Sequence, residues 1–344
     1  MYRCGLEAMA LSGLSRMAAP ATGGLGALLT LHHVRPARKR GFDPNGLLEI
    51  TPEFLDAVLG YIRRAGFEFV DLEEAGRRLA AGTTTRRFVC LTFDDGYRDN
   101  MAYAQPILRR HNVPWTLFVT TAFADQRGEL WWLALEDVIA RSDRVVIDLG
   151  EGEESFDCRT DAAKGAAYDA IYWRLRAMSE PQVLGIVRGL AERNGIDTRS
   201  FCRELCMDWD ELDALSDDPL VTFGAHTVTH PRLATLTGPD AATEMRESRT
   251  VIERRLDRPV TTFAYPVGDL SSAGPREFHF AAGLGFRLAV TTRPGVLKPS
   301  DAQAMHSLPR ISLNGRFQKL RYVGALLSGL PFASLRDFRA AGRT

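Results

Sequence analysis

Short apolar runs alternate along most of the chain with segments whose apolar positions recur at helical spacing. Leu28–Leu31, Phe67–Val70, Phe88–Phe93, Trp115–Val119, Val221–Phe223, Thr261–Ala264 and Phe286–Val290 read as buried strands. Between them lie helical patterns. Thr51 caps a helix that has Pro52 at its first position, and Phe54, Leu55, Val58, Leu59 and Ile62 form one apolar stripe that Gly66 ends. Leu72–Leu79, Tyr103–Leu108, Asp240–Leu256 and Phe278–Leu284 are further helices. Strand–helix alternation implies a parallel sheet with helical crossovers, and the number of units implies a barrel rather than a small open sheet. The segment Leu130–Cys206 breaks the alternation with a mostly helical pattern and reads as an insertion, either walling one side of a cleft or only padding the barrel.

The uncharged stretch Met17–Val34 resembles a leader or membrane segment, but Pro20, Gly23, Gly24 and Gly26 interrupt it and it ends in His32 and His33. It reads as a loop feeding the first strand, which predicts a soluble, cytoplasmic protein with no stable membrane insertion. The expected division is a loop segment over 1–26, an α/β barrel over 27–313 with a helical insertion at about 130–206, and a C-terminal helix and tail over 314–344.

With 43 basic against 43 acidic residues the formal charge is zero, which gives no electrostatic footprint for nucleic acid. The five cysteines are scattered and odd in number, so they form no disulfide framework. Cys202 and Cys206 are four apart, but no second cysteine pair or nearby histidine completes a zinc site.

Three clusters carry chemistry. In Thr92-Phe93-Asp94-Asp95-Gly96 an apolar strand ends in two adjacent carboxylates. Strand carboxyl ends are where active sites of parallel α/β proteins form. Adjacent residues on extended chain point oppositely, so one aspartate is able to bind a metal while the other accepts a proton. The competing reading is an ordinary Asp-Gly turn. In Phe223-Gly224-Ala225-His226-Thr227-Val228-Thr229-His230 two histidines four apart converge if that turn is helical. Two imidazoles and one carboxylate suit a divalent ion with coordination positions left open. Thr262–Asp269 is a strand ending in a Pro/Gly turn, able to aim a backbone N–H at a developing oxyanion.

T-F-D-D-G, H-T-x-x-H and F-A-Y-P-x-G occur here in the order found in the polysaccharide deacetylase family (NodB homology domain, carbohydrate esterase family four), which the chain resembles over roughly Leu28–Leu313. The resemblance implies an incomplete or distorted (β/α) barrel of the NodB type. By position, Asp94 matches the catalytic base, and Asp95, His226 and His230 match the metal triad. Gly96 matches a turn open to substrate, and Thr227 a support for the histidine loop. The third motif, with Tyr265, Pro266 and Val267, matches the oxyanion and substrate turn, the Val267 N–H being the donor. The family's arginine that orients the base and its late general-acid histidine are not at their usual places. Arg310, in Leu308-Pro309-Arg310-Ile311 at the end of a late strand, is the expected replacement for the first. His32, at the end of the first strand, replaces the second, with His33 and His306 as its competitors.

The expected reaction is hydrolysis of an N-acetyl group on an oligo- or polysaccharide of the chitooligosaccharide type, releasing acetate. It needs a divalent metal, zinc first, with cobalt, nickel or iron also accepted by this donor set. A second reading is a NodB-fold protein that binds glycans without catalysis. An aspartyl phosphatase is disfavoured because its two aspartates are separated by one residue. A zinc peptidase is disfavoured because no glutamate follows His226. Trp131, Trp132, Tyr172 and Trp173 in the insertion offer faces for sugar rings and fit a helix core equally well.

Overall fold

The structure, a computed structural model, describes residues 2–333. Eight strands form one sheet: β1 (Gly26–Leu31), β2 (Glu68–Phe69), β3 (Phe88–Phe93), β4 (Trp115–Val119), β5 (Val221–Ala225), β6 (Thr262–Ala264), β7 (Leu288–Val290) and β8 (Ile311–Ser312). Their order is β7-β6-β5-β4-β3-β1-β8, with β2 against the start of β3, and every pairing is parallel. The chain leading into β8 joins both ends of this path: Leu308 bridges Val290 of β7 and, three residues on, Ile311 of β8 pairs with Leu29. The sheet therefore curls into the incomplete barrel of NodB type that the sequence predicts.

Local chemistry sets the elements. Thr51 Oγ1 accepts the Phe54 N–H at 3.1 Å and Pro52 opens the helix Pro52–Arg64, whose Leu55, Val58, Leu59 and Ile62 are buried. Asp71 caps Leu72–Ala81, and Gly82 ends it in the left-handed region. β1, β3 and β4 are buried along their whole length, as parallel strands between helices and barrel interior must be.

Three expectations are corrected. Residues 2–22 are not a loop but two helices, Tyr2–Leu11 and Leu14–Thr22, and Leu6 packs on Tyr322 and Ala325 of the helix Leu320–Leu327. Their apolar partners lie some 300 positions away, so no local pattern reveals the burial. The Tyr103–Leu108 pattern begins with one wide turn, Asn100–Ala104, that leaves Tyr103 exposed. The insertion is not only helical: Arg144–Asp148 and Glu153–Asp157 form an antiparallel hairpin that shares a separate core with the helices Trp131–Arg141, Asp161–Leu175 and Glu180–Arg193. Cys202 and Cys206 are buried free thiols. Of the expected C-terminal helix and tail, the helix is Leu320–Leu327, and residues 334–344 lie outside the described residues. No helix among the described residues is long and apolar enough to cross a membrane.

Candidate active site

The carboxyl ends of β1, β3, β5 and β6 open on one cavity of about 280 Å³, whose walls include His32, Asp94, Asp95, His226, His230 and Val267. Asp94 and Asp95 diverge as expected, because Asp95 takes φ 75° and Gly96 follows at the same value. The histidines converge differently from expectation. The chain after His226 is not helical: Thr227 and His230 adopt φ 66° and 65°, an unfavourable left-handed geometry for residues with a Cβ. Hydrogen bonds fix this turn. Thr227 Oγ1 accepts the His230 N–H at 3.0 Å. Glu244, on the helix Gly238–Leu256, accepts the N–H groups of Val228 and Thr229 at 2.7 and 2.9 Å and the Thr229 hydroxyl at 2.7 Å.

The triad has the donors and the spacing that a metal ion needs. The His226 Nδ1 lies 2.7 Å from the Ala264 carbonyl, which can only accept, so this nitrogen carries the proton and a neutral ring turns its Nε2 lone pair inward. That Nε2 is 3.4 Å from Asp95 Oδ1, and His230 Nε2 is 3.2 Å from the same oxygen. Asp95 Oδ1 is buried with no hydrogen-bond partner. One ligand atom from each of the three residues lies within 4.8 Å of the others. The His226 lone pair, the His230 Nε2 and an orphaned carboxylate oxygen facing one another fit a small divalent cation. Burial pushes the Asp95 carboxyl up, but His230 and His226 outweigh it and hold it well below the usual carboxylate range. Burial likewise opposes the charge on His226, and Asp95 and Asp94 overcome it and raise its pKa.

Asp94 has a different environment. Arg310 grips it through two 2.7 Å hydrogen bonds, Nη1 to Oδ1 and Nη2 to Oδ2. The same guanidinium donates to Thr92 Oγ1 at 3.0 Å and through Nε to the Thr291 carbonyl at 2.9 Å. Burial alone would raise the Asp94 pKa, but the charge and hydrogen bonds of Arg310 bring it below the ordinary value. Arg310 is fully buried and precedes β8 rather than ending a strand, in the segment that spans the two ends of the sheet.

His32 follows β1 and lines the cavity. Burial lowers its pKa against the pull of Asp95 and Asp94, which favours the neutral ring. Its two competitors sit elsewhere. His33 lies 2.7 Å from Asp99 and stacks on Tyr97, and His306 Nε2 donates to the Phe286 carbonyl. Val267 lines the cavity at φ 60°, and Thr292 holds its turn from Oγ1 to the Val267 carbonyl at 2.6 Å. Gly268 is required there, since a Cβ would stand 2.7 Å from the Thr292 nitrogen and φ is 65°. Tyr265 and Pro266 are buried outside the cavity walls, and the Tyr265 hydroxyl donates to the His306 carbonyl at 2.8 Å. The expectation that these two meet substrate is corrected: a residue directly after an inward-facing strand position turns into the core.

The insertion supplies one wall. Trp131 stacks on Tyr172 at 5.4 Å between centroids, and the Trp132 ring lies 5.2 Å from that of His230, whereas Trp173 is 63% exposed and off the wall. Sequence reasoning missed Arg176, Glu180 and Arg232, which also line the cavity. Arg232 pairs with Glu180 at 2.8 Å and Arg176 with Asp269 at 2.9 Å, tying the insertion to the barrel. No spacing rule finds them, because the partners are 52 and 93 positions apart.

Carboxylates and histidines gathered at the carboxyl ends of parallel strands define an enzyme of the α/β-barrel class. The chain belongs to the polysaccharide deacetylase family, whose sequence profile it matches over residues 81–279. It is accordingly a hydrolase acting on the amide bonds of N-acetylated sugars. Solved structures agree on the fold. A deacetylase from Streptococcus pyogenes, PplD in complex with acetate, is 18% identical, with a TM-score of 0.55 over 84% of this chain and 92% of that one. IcaB from Ammonifex degensii is 18% identical, with a TM-score of 0.56 over 89% and 98%. The BpsB deacetylase domain from Bordetella bronchiseptica is 16% identical, with a TM-score of 0.51 over 84% and 96%. No curated relative matches the sequence.

Proposed function

We propose that the chain is a metal-dependent de-N-acetylase of oligo- or polysaccharides, with chitooligosaccharides the first substrates to try, and that residues 27–313 are its catalytic unit. The observation that carries this reading is the pairing of an arginine-held aspartate, Asp94, with the Asp95–His226–His230 triad on one cavity. The triad would hold a divalent ion, zinc first; when bound, such an ion polarises a carbonyl and lowers the pKa of a water. Asp94, kept ionised by Arg310, removes a proton from the attacking water. Both its oxygens are already bonded to Arg310 and Oδ2 also accepts from the Thr30 hydroxyl at 3.4 Å, so the second acceptor site of Oδ1 is the one that takes the water proton. The Val267 N–H donates to the oxyanion. His32, whose burial favours the neutral ring, takes up the proton that Asp94 has removed from the water and passes it to the departing nitrogen, which leaves Asp94 ionised again. Trp131 and Tyr172 offer a face to a sugar ring. A cytoplasmic location is part of the same proposal.

The test is an acetate-release screen over N-acetylated glycans with divalent metal supplied. Wild type releases acetate, Asp94→Asn binds metal but does not turn over, and Asp95→Asn loses both. Binding of glycan with no acetate released from any substrate would favour the non-catalytic reading instead, and near-normal turnover by Asp94→Asn would remove the assigned base.

A further inference from the structure

At the opposite end of the barrel a groove of about 900 Å³ runs between the two N-terminal helices, the end of the helix Pro52–Arg64 and the helix Leu320–Leu327. Its charged lining residues are Arg16, Arg64, Arg87 and Arg321, with no carboxylate among them. Only Arg321 has an acidic partner, Glu7, among the described residues. Arg87 is half-buried and bonds the carbonyls of Gly23 and Leu327, and its Nε has no partner. With no countercharge, burial draws its pKa down to about 10. Beside the groove, where the two N-terminal helices meet, Leu11, Leu14 and Met17 are 70%, 53% and 79% exposed. Three large apolar side chains in seven positions are thus left in water next to four arginines.

Charge selects the occupant. Residues 334–344 carry Arg336, Arg339 and Arg343 against Asp337, so that segment has the groove's own sign. A second copy docked through this face would set arginine against arginine. An anionic bilayer surface answers both features, with headgroup phosphates for the guanidinium groups and the acyl boundary for the leucines and methionine. We propose that this end of the molecule docks on anionic phospholipid membranes. Arg87 directly precedes β3 and Asp94 directly follows it, so the cavity lies about 20 Å from the groove, at about 3.3 Å per residue, and opens away from the bilayer. The docked enzyme addresses glycan at a distance from the surface rather than sugar joined directly to a headgroup.

The experiment is cosedimentation of the full chain with vesicles of phosphatidylcholine alone or mixed with phosphatidylglycerol. Wild type sediments with the mixed vesicles only, and salt weakens the binding. The double variant Arg16→Gln/Arg64→Gln binds mixed vesicles more weakly by about five-fold per charge removed. Leu14→Ser/Met17→Ser, at exposed positions that leave the fold intact, also loses binding. Four results would overturn the proposal: no sedimentation with mixed vesicles, equal sedimentation with both kinds, variants that bind like wild type, or binding seen only after residues 334–344 are removed. A dimer in ultracentrifugation that Leu14→Ser/Met17→Ser dissociates would assign the face to a second copy and overturn it as well.

Discussion

Replacing Arg310 with methionine removes both 2.7 Å hydrogen bonds to Asp94, the bond to Thr92 Oγ1 and the bond to the Thr291 carbonyl, at a site where Arg310 is 0% and Asp94 2% exposed. An uncompensated carboxylate is then left in the barrel, and breaking a buried pair on one side costs about 3–5 kcal/mol. The single variant Arg310→Met should lose about that much in urea unfolding at pH 7. The double variant Arg310→Met/Asp94→Asn, which removes both charges, should recover most of it. The pH dependence has a definite sign. Asp94 has a depressed pKa in the folded protein, so its pairing stabilises above the unfolded carboxylate pKa of about 3.9 and is lost as pH falls through the lower folded value. The gap between wild type and Arg310→Met should therefore be widest near neutrality and close in acid. Without the guanidinium, burial raises the Asp94 pKa, so the acid limb of kcat/KM should move up by at least about one pH unit. A single variant within about 1 kcal/mol of wild type, small against the 3–5 expected of a broken buried pair, would refute this account of Asp94. So would an unmoved acid limb, or a double variant no better than the single.

Other predictions follow from the same geometry. His32→Gln should lower kcat by about 10²- to 10⁴-fold, the usual worth of a general acid, with metal content unchanged, as read by steady-state kinetics beside elemental analysis. Glu244→Ala should release the turn that carries His226 and His230 and weaken metal binding by about 10- to 100-fold. Glu244→Gln, whose amide oxygen still accepts the Val228 and Thr229 N–H groups, should keep most of it in a competitive chelator titration. Tyr172→Ala should raise KM for oligosaccharides more than it lowers kcat, since the ring forms a wall of the cavity away from Asp94. Leu6→Ala should cost about 2–5 kcal/mol, the usual range for a buried leucine, in thermal or urea unfolding, since that side chain is 4% exposed against Tyr322.

What was legible in the sequence was local. β3 and the two aspartates after it can be read because a strongly apolar strand ends abruptly in charge. The histidine pair was legible as residue types but not as a conformation. The left-handed turns at Thr227 and His230 depend on Glu244, on the following helix, and a helical spacing argument cannot include it. Arg310 could be selected as the arginine of a late strand segment, although its reach to Asp94 comes from a segment that spans both ends of the sheet. Tyr265 looked like part of a functional turn because its neighbour Val267 is. It follows directly on β6, and its ring packs edge-on against Phe263 in the core. The N-terminal helices were hidden because their burial depends on the chain's far end.

The central claim is that Asp95, His226 and His230 close around one ion. Metal content per chain of the purified protein, determined after loading with zinc and removing the excess, tests it most directly. One zinc should be found per wild-type chain, retained in Asp94→Asn and lost in Asp95→Asn and His226→Ala. Wild-type protein that holds no stoichiometric metal, or triad variants that hold as much as wild type, would contradict it.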